Sequence, residues 1–303
     1  MPRAPRRVSV PPGLEWWREK PDGSIWLQHL PDIMGECAAR WSLRLGEPFH
    51  LAHVSYVAPV ELHDRTPAVL KINFPEPESE QEGDALGHWD GEGAVRLLGR
   101  YDERRALLVE MCRPGTRLWE LRDGDDVTRI VAGVLRRLWK PPRDGHPFRL
   151  LADAATSWAN ELPEGWERLG RPYEEELLTE AVAFLREAGP AQGEQVVLHQ
   201  DLHGGNILDA QREPWLAIDP KPLVGEREFD TASFLRDRRW ELRHDPLAGL
   251  RVRRRLDLLA GELGLDRDRM RGWGIAHAVA WGMSGHPEQD RQMANCARWL
   301  AAA

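Results

Sequence analysis

The stretch His199-Gln200-Asp201-Leu202-His203-Gly204-Gly205-Asn206-Ile207-Leu208 places a carboxylate ahead of an amide on one short polar segment, and a second carboxylate, Asp219, closes the apolar run Trp215-Leu216-Ala217-Ile218. These residue types suit phosphoryl transfer, whose loose transition state needs positioning and charge neutralisation more than covalent help. Asp201 would accept or orient the proton of an acceptor hydroxyl. Asn206 and Asp219 would offer hard oxygen ligands to one or two Mg²⁺ ions. Gly204 and Gly205 read as a tight backbone turn that points the Asn206 amide back toward the metal.

The pattern H-x-D-x-x-x-x-N could also be a polar β-turn with Asp201 and Asn206 as caps. Its context favours chemistry: Val196-Val197-Leu198 precedes it, Ile207-Leu208 follows it, and Asp219 stands at a strand end, the arrangement used by protein-kinase-like phosphotransferases. Lys71, near the end of the strand-like run Pro67-Ala68-Val69-Leu70-Lys71-Ile72, is then the candidate for contacting the α- and β-phosphates. A lone strand lysine is more often a solvated charge. Its position before an acid-bearing helix and upstream of the catalytic segment supports the functional reading, with Glu82 as ion-pair partner and Glu80 as competitor. No G-x-G-x-x-G covers the phosphates; Gly46 to His53 reads GEPFHLAH, and His50 and His53 are taken as loop histidines.

The elements that must position these groups change character along the chain. Alternating runs predict strands over Val54–Leu62, Ala68–Phe74, Val95–Arg100 and Ala106–Met111, the first two joined by a hairpin at His63–Pro67. A helix is expected over Glu78–Trp89. Beyond Arg113-Pro114-Gly115-Thr116 the period becomes helical over Val127–Trp139, Tyr173–Ala188, Arg251–Leu263 and Met270–Met283. The expectation is an α+β, bilobal, protein-kinase-like fold: residues 1–112 an antiparallel-sheet lobe that binds nucleotide, and residues 113–303 a mainly helical lobe with a small β-rich island, the cleft between them being the expected site.

The chain has 303 residues, 42% hydrophobic and 30% charged, in the range of ordinary globular proteins. With 41 Lys and Arg against 49 Asp and Glu, the net charge of −8 has the wrong sign for a nucleic-acid binder and would attract a cationic small molecule. No run of about 18 apolar residues predicts a membrane span. Met1 to Pro12, rich in Pro and Arg, reads as a loose lead-in without signal-peptide character. Cys37, Cys112 and Cys296 form no CxxC pair and read as thiols in a reducing, cytoplasmic setting. The Trp residues, 14 in all, read first as core.

The stretch from Val197 to Arg238, with HQDLHGGNIL, REPWLAIDPKPLVG and EFDTASFLRDR, resembles the streptomycin 6-kinase and hydroxyurea phosphotransferase branch of the aminoglycoside phosphotransferase family. SYVAPVEL, PAVLKINF, ALGHWDGEGAVRLLGRYD and ALLVEMCRPGTRL extend the likeness over most of residues 41–260. The resemblance implies ATP or GTP with Mg²⁺, Asp201 as catalytic aspartate, Asn206 and Asp219 as magnesium ligands, and Lys71 with Glu82 as the nucleotide-positioning pair. It further implies a hinge at Glu110 to Cys112 whose backbone holds the base, and Asp230 as a buried brace of the catalytic loop. His50-Leu51-Ala52-His53 departs from the small, glycine-rich loop of the family.

The expected function is phosphorylation of an aminoglycoside hydroxyl, with streptomycin and its 6-position implied by the resemblance. A kinase for another small hydroxylated or amino compound, such as a hydroxyurea-like one, and a nucleotide-binding pseudokinase are the alternatives.

Overall fold

The computed structural model describes residues 10–50 and 52–303; the expected lead-in falls largely on residues 1–9, outside the described residues, as does Leu51 of the His50–His53 loop. The chain divides into two compact units, one running to Gly91 and including Val95–Cys112, the other comprising Glu92–Ala94 and Arg113–Ala303.

The first unit opens with a 3-10 helix, Pro12–Glu19, and a long helix α1, Pro21–Trp41. Strands β1 (Arg44–Leu45), β2 (Tyr56–Glu61) and β3 (Pro67–Ile72), helix α2 (Glu82–Trp89), and strands β4 (Leu97–Tyr101) and β5 (Ala106–Glu110) follow. The strands form an antiparallel sheet in the order β1-β2-β3-β5-β4. The β2–β3 hairpin closes with Leu62 N–H donating to the Thr66 carbonyl at 2.9 Å, while the Asp64 carboxylate accepts the Thr66 N–H.

Strand alternation divides the labour of β3. Ala68, Leu70 and Ile72 join Tyr56, Ala58, Val60, Ala106 and Leu108 in one apolar cluster with Trp26, Leu27, Leu30 and Met34 of α1. Lys71 therefore takes the opposite face with its register partner Leu107. Helix α2 lies on that same face, since a Cβ on Gly83 would meet Leu107 at 3.1 Å.

Helix α1 is absent from the strand-first expectation. Its buried Trp26, Leu27, Leu30, Met34 and Cys37 do have helical spacing, but Gly23 and the internal Pro31 oppose helix formation locally. Packing on the sheet overrides that propensity.

The second unit contains α3 (Asp125–Leu138), β6 (Arg149–Leu150), α4 (Leu151–Arg168), α5 (Glu175–Ala188), β7 (Gln195–Leu198), β8 (Ile207–Asp209), β9 (Trp215–Ala217) and β10 (Leu223–Glu226). The short helices α6 (Ala232–Leu235) and α7 (Arg239–Leu242) precede α8 (Ala248–Leu263), α9 (Arg267–Trp281) and α10 (Pro287–Ala301). The β-rich island is two sheets: β8 pairs with β9, whereas β7 pairs with β10, which also runs parallel to β6. Every catalytic candidate of this unit lies on the connections of these strands. Helices α4 and α10 and the short α6 and α7 add to the four expected; α4 buries Leu151, Ala155, Ala159, Leu162 and Trp166 despite an internal Pro163.

Among the described residues no helix is long and apolar enough to cross a membrane. No disulfide joins Cys37, Cys112 and Cys296.

Leu70 is fully buried between the α1 face and the hairpin strands. Leu70→Ala should destabilise the protein by about 2–5 kcal/mol in chemical denaturation; a loss below about 1 kcal/mol would contradict this core assignment.

Candidate active site

Strand β7 ends at Leu198, and the chain then has to turn sharply while keeping its peptide groups satisfied. Asp230, 1% exposed, provides the acceptors: its Oδ2 takes the His199 N–H at 3.1 Å and its Oδ1 the Gln200 N–H at 2.7 Å. Trp139 Nε1 also donates to Oδ2, at 3.1 Å. Burial pushes the Asp230 carboxyl up to about 6, against the pull of these three donors. Gln200 accepts a left-handed φ of 66° at the bend, a strain that the surrounding bonds hold in place.

The buried His199 ring ties this bend to the segment after β9. Its Nε2 lies 3.0 Å from the Ile218 carbonyl, which fixes the proton on Nε2, and its own carbonyl accepts the Lys221 N–H at 3.0 Å. Asp219 sits between these two tethers with φ 62° and an exposed carboxylate. Burial holds the His199 imidazole down to about 4, so it stays neutral at pH 7.

Asp201 is 21% exposed at its side chain. Ser233 Oγ donates to its Oδ1 at 3.3 Å, Arg236 Nη2 approaches the same oxygen at 3.4 Å, and Lys221 Nζ lies 3.8 Å from Oδ2. Burial works to raise its carboxyl, but the surrounding His203, Lys221 and Arg236 outweigh burial and hold it well below the usual carboxylate range. Burial lowers the His203 imidazole in turn, against the opposing pull of Asp201 and Asp237. Arg236 is itself fixed by donating Nε–H to Nδ1 of the buried His277 at 3.0 Å. The result is an ionised carboxylate with a fixed direction and partial access.

Asn206 Nδ2 donates to the Asp201 carbonyl at 3.0 Å, which turns the amide oxygen to the other side. The Ile218 N–H donates to the Asn206 backbone carbonyl at 2.9 Å, bringing Asn206 and Asp219 into one substructure. Among the described residues no group of three or more His, Cys, Asp and Glu converges as a metal cage. An amide oxygen and one carboxylate fit Mg²⁺, which keeps several waters and takes further oxygens from phosphates rather than from an all-protein cage.

The two glycines have a different reason from the one read in the sequence. Neither has a positive φ; instead Trp119 packs against them, and a Cβ would lie 2.6 Å from its ring at Gly204 and 2.7 Å at Gly205. The same indole stacks on His203 at 4.8 Å and donates Nε1–H to Asp237, whose Oδ2 accepts the Gly204 N–H at 2.8 Å. His203 Nδ1 accepts the Gly205 N–H at 3.1 Å.

In the first unit, Lys71 Nζ meets both carboxylate oxygens of Glu82 at 2.7 Å. Asn73 Nδ2 donates to Glu82 at 2.7 Å and receives the Ser55 hydroxyl at 2.7 Å. All four side chains are buried. Glu80 pairs with Arg105 at 3.6 Å instead. Glu110 ends β5, exchanging backbone and side-chain bonds with Arg96, and Cys112 is half-buried at the end of this unit.

The sequence alone does not single out Trp119, Lys221, Ser233, Arg236, Asp237 or His277. Lys221 follows Asp219 in the run Asp219-Pro220-Lys221, and that adjacency is its available signal. The others reach the loop from far along the chain, His277 through Arg236.

Comparison with known proteins gives a consistent assignment. The family described as aminoglycoside/hydroxyurea antibiotic resistance kinase matches residues 40–285. The chain is 37% identical over 260 residues to a streptomycin 6-kinase of Streptomyces griseus, covering 85% of this chain and 83% of that one. It is 38% identical over 262 residues to a hydroxyurea phosphotransferase of Kitasatospora aureofaciens, covering 85% and 73%. The solved structure of the macrolide 2'-phosphotransferase MphH from Brachybacterium faecium matches with a TM-score of 0.56 at 17% identity, covering 90% of this chain and 98% of that one. That likeness shows the fold, which is the α+β, protein-kinase-like one.

The neutral His199 has a pH consequence. Its folded pKa of about 4 lies below the ordinary 6.5, so the unfolded chain takes up a proton as pH falls through that window while the native chain does not. This group costs the native state about 3 kcal/mol by pH 4. Urea unfolding of His199→Gln should therefore lose about 3 kcal/mol less than the wild type between pH 7 and pH 4; equal losses would contradict a buried neutral imidazole.

Proposed function

Because the chain belongs to the aminoglycoside/hydroxyurea antibiotic resistance kinase family and is a phosphotransferase, we propose that it moves the γ-phosphoryl group of ATP onto a hydroxyl of streptomycin, at the 6-position, and so inactivates the antibiotic in the cytoplasm. The observation that carries this reading is the Asp201 carboxylate, kept ionised and aimed by Ser233, Lys221 and Arg236 on a loop shared with Asn206.

In this mechanism the acceptor hydroxyl docks against Asp201, which takes its proton as the new oxygen–phosphorus bond forms and the bond to the β-phosphate oxygen breaks, releasing ADP. Asn206 and Asp219 would hold Mg²⁺. The ion would neutralise charge on the phosphate oxygens. Lys71, oriented by Glu82, would contact the α- and β-phosphates, and the backbone from Glu110 to Cys112 would hold the adenine. Residues 1–112 are the nucleotide lobe in this reading and residues 113–303 the acceptor lobe. The net charge of −8 favours a guanidinium-bearing acceptor by long-range attraction.

A second acceptor, a hydroxyurea-like compound, is favoured by the 38% identity to a hydroxyurea phosphotransferase, equal in practice to the 37% shared with a streptomycin kinase. Product mass separates the two. With magnesium and ATP, streptomycin should gain one phosphoryl group, and Asp201→Ala should lower the rate by about 10²–10⁴ with nucleotide binding kept. Phosphorylation of hydroxyurea alone would replace the acceptor. Nucleotide binding without transfer to either, or full turnover by Asp201→Ala, would contradict the mechanism.

A further inference from the structure

The segment between β1 and β2 lies at the end of the sheet next to Lys71, since Val57 is the register partner of Lys71 and accepts the Phe49 N–H at 2.9 Å. In the nucleotide reading this is where a phosphate-covering loop belongs, yet beyond Gly46 it has no glycine to let the backbone fold closely around phosphate. Another feature of the first unit supplies order in their place. Trp16 Nε1 donates to the His53 carbonyl at 2.7 Å, and Trp17 Nε1 donates to the Val54 carbonyl at 3.1 Å. The helix that carries them approaches so closely that a Cβ on Gly13 would lie 2.3 Å from the Ala52 carbonyl oxygen.

The two indoles are braced in turn. They stack on each other at 4.1 Å, and Trp17 stacks on Phe74, just beyond β3, at 3.8 Å. At the loop's far end, Ser55 Oγ donates to Asn73, which donates to Glu82, the partner of Lys71. Trp16 and Trp17 thus hold one side of the Ala52–Ser55 segment, and the Lys71–Glu82 network holds the other.

Peptide planarity gives this clamp a direction. In a trans peptide the carbonyl and the following N–H point opposite ways. Tying the carbonyls of His53 and Val54 to the indoles therefore sends the N–H groups of Val54 and Ser55 to the opposite edge, and no acceptor among the described residues takes either one. Successive N–H groups presented on one side of a fixed loop are an anion-binding arrangement.

We propose that Trp16 and Trp17 are positioning residues for the nucleotide phosphates, using their indole N–H groups to orient the Val54 and Ser55 N–H groups as a phosphate cradle in a loop without a glycine motif. The inference rests on the nucleotide-lobe reading of residues 1–112 and goes beyond it by giving the N-terminal helix a role in the site.

Trp16→Phe and Trp17→Phe remove the donor and keep an aromatic ring. Trp16 is 38% exposed, so its variant should fold normally and is the decisive one, with Trp17→Phe as the second case. Titration calorimetry would compare a non-hydrolysable ATP analogue with adenosine on the full chain. Each variant should weaken the ATP analogue about five-fold, the equivalent of one net hydrogen bond, and leave adenosine affinity unchanged. Equal weakening of both ligands, or no change for the ATP analogue in Trp16→Phe, would overturn the proposal. Wild-type protein that binds neither ligand would instead overturn the nucleotide reading on which it stands.

Discussion

The arrangement of the second unit depends on one buried carboxylate. Asp230 accepts two successive backbone N–H groups, from His199 and Gln200, at the point where β7 gives way to the loop carrying Asp201. Without an acceptor there, two peptide donors would be buried unsatisfied, each costing about 1–3 kcal/mol, and the left-handed turn at Gln200 would lose the bond that its own N–H makes. Once that bend is fixed, the neighbouring constraints follow. His199 reaches the Ile218 carbonyl, Asp219 is held on its own left-handed turn, and Asn206 closes the loop onto the Asp201 carbonyl.

The first unit solves a similar problem with an ion pair. Lys71 lies on the face of β3 away from the α1 core, and Glu82 begins α2 beside it. A buried pair of this kind gives little net stability, but losing one partner leaves an isolated charge at a cost of about 3–5 kcal/mol. Asn73 and Ser55 extend the pair toward the β1–β2 loop, so one polar network spans strand, helix and loop.

The legible parts of the fold are those with a short-range signal. Strand alternation is plain in β2, where one face is covered by α1 and the period of two survives, and it breaks in β3 where Lys71 is buried as well. Helices α1 and α4 have equally clear apolar faces, but internal prolines argue against them locally and packing decides otherwise. Strand β10 is four buried residues that alternate with nothing, so its pairing with β7 carries no pattern of its own. The site divides the same way. Asp201, Asn206 and Asp219 fall within a single local motif, while Ser233, Arg236 and His277 reach it only through the fold. Gly204 and Gly205 stand out in the sequence as turn formers, whereas the Trp119 ring that needs their missing side chains is remote along the chain.

The central claim is that Asp230 acts through the placement of Asp201, and a double-mutant cycle on phosphoryl transfer tests it most directly. Asp230→Asn cannot accept from both the His199 and Gln200 N–H groups as a carboxylate does, so it should lower kcat by at least about 10-fold. Combined with Asp201→Ala it should add little further loss, because both changes remove the same positioned carboxylate. Losses that multiply in the double variant, or an unimpaired Asp230→Asn enzyme, would contradict the account.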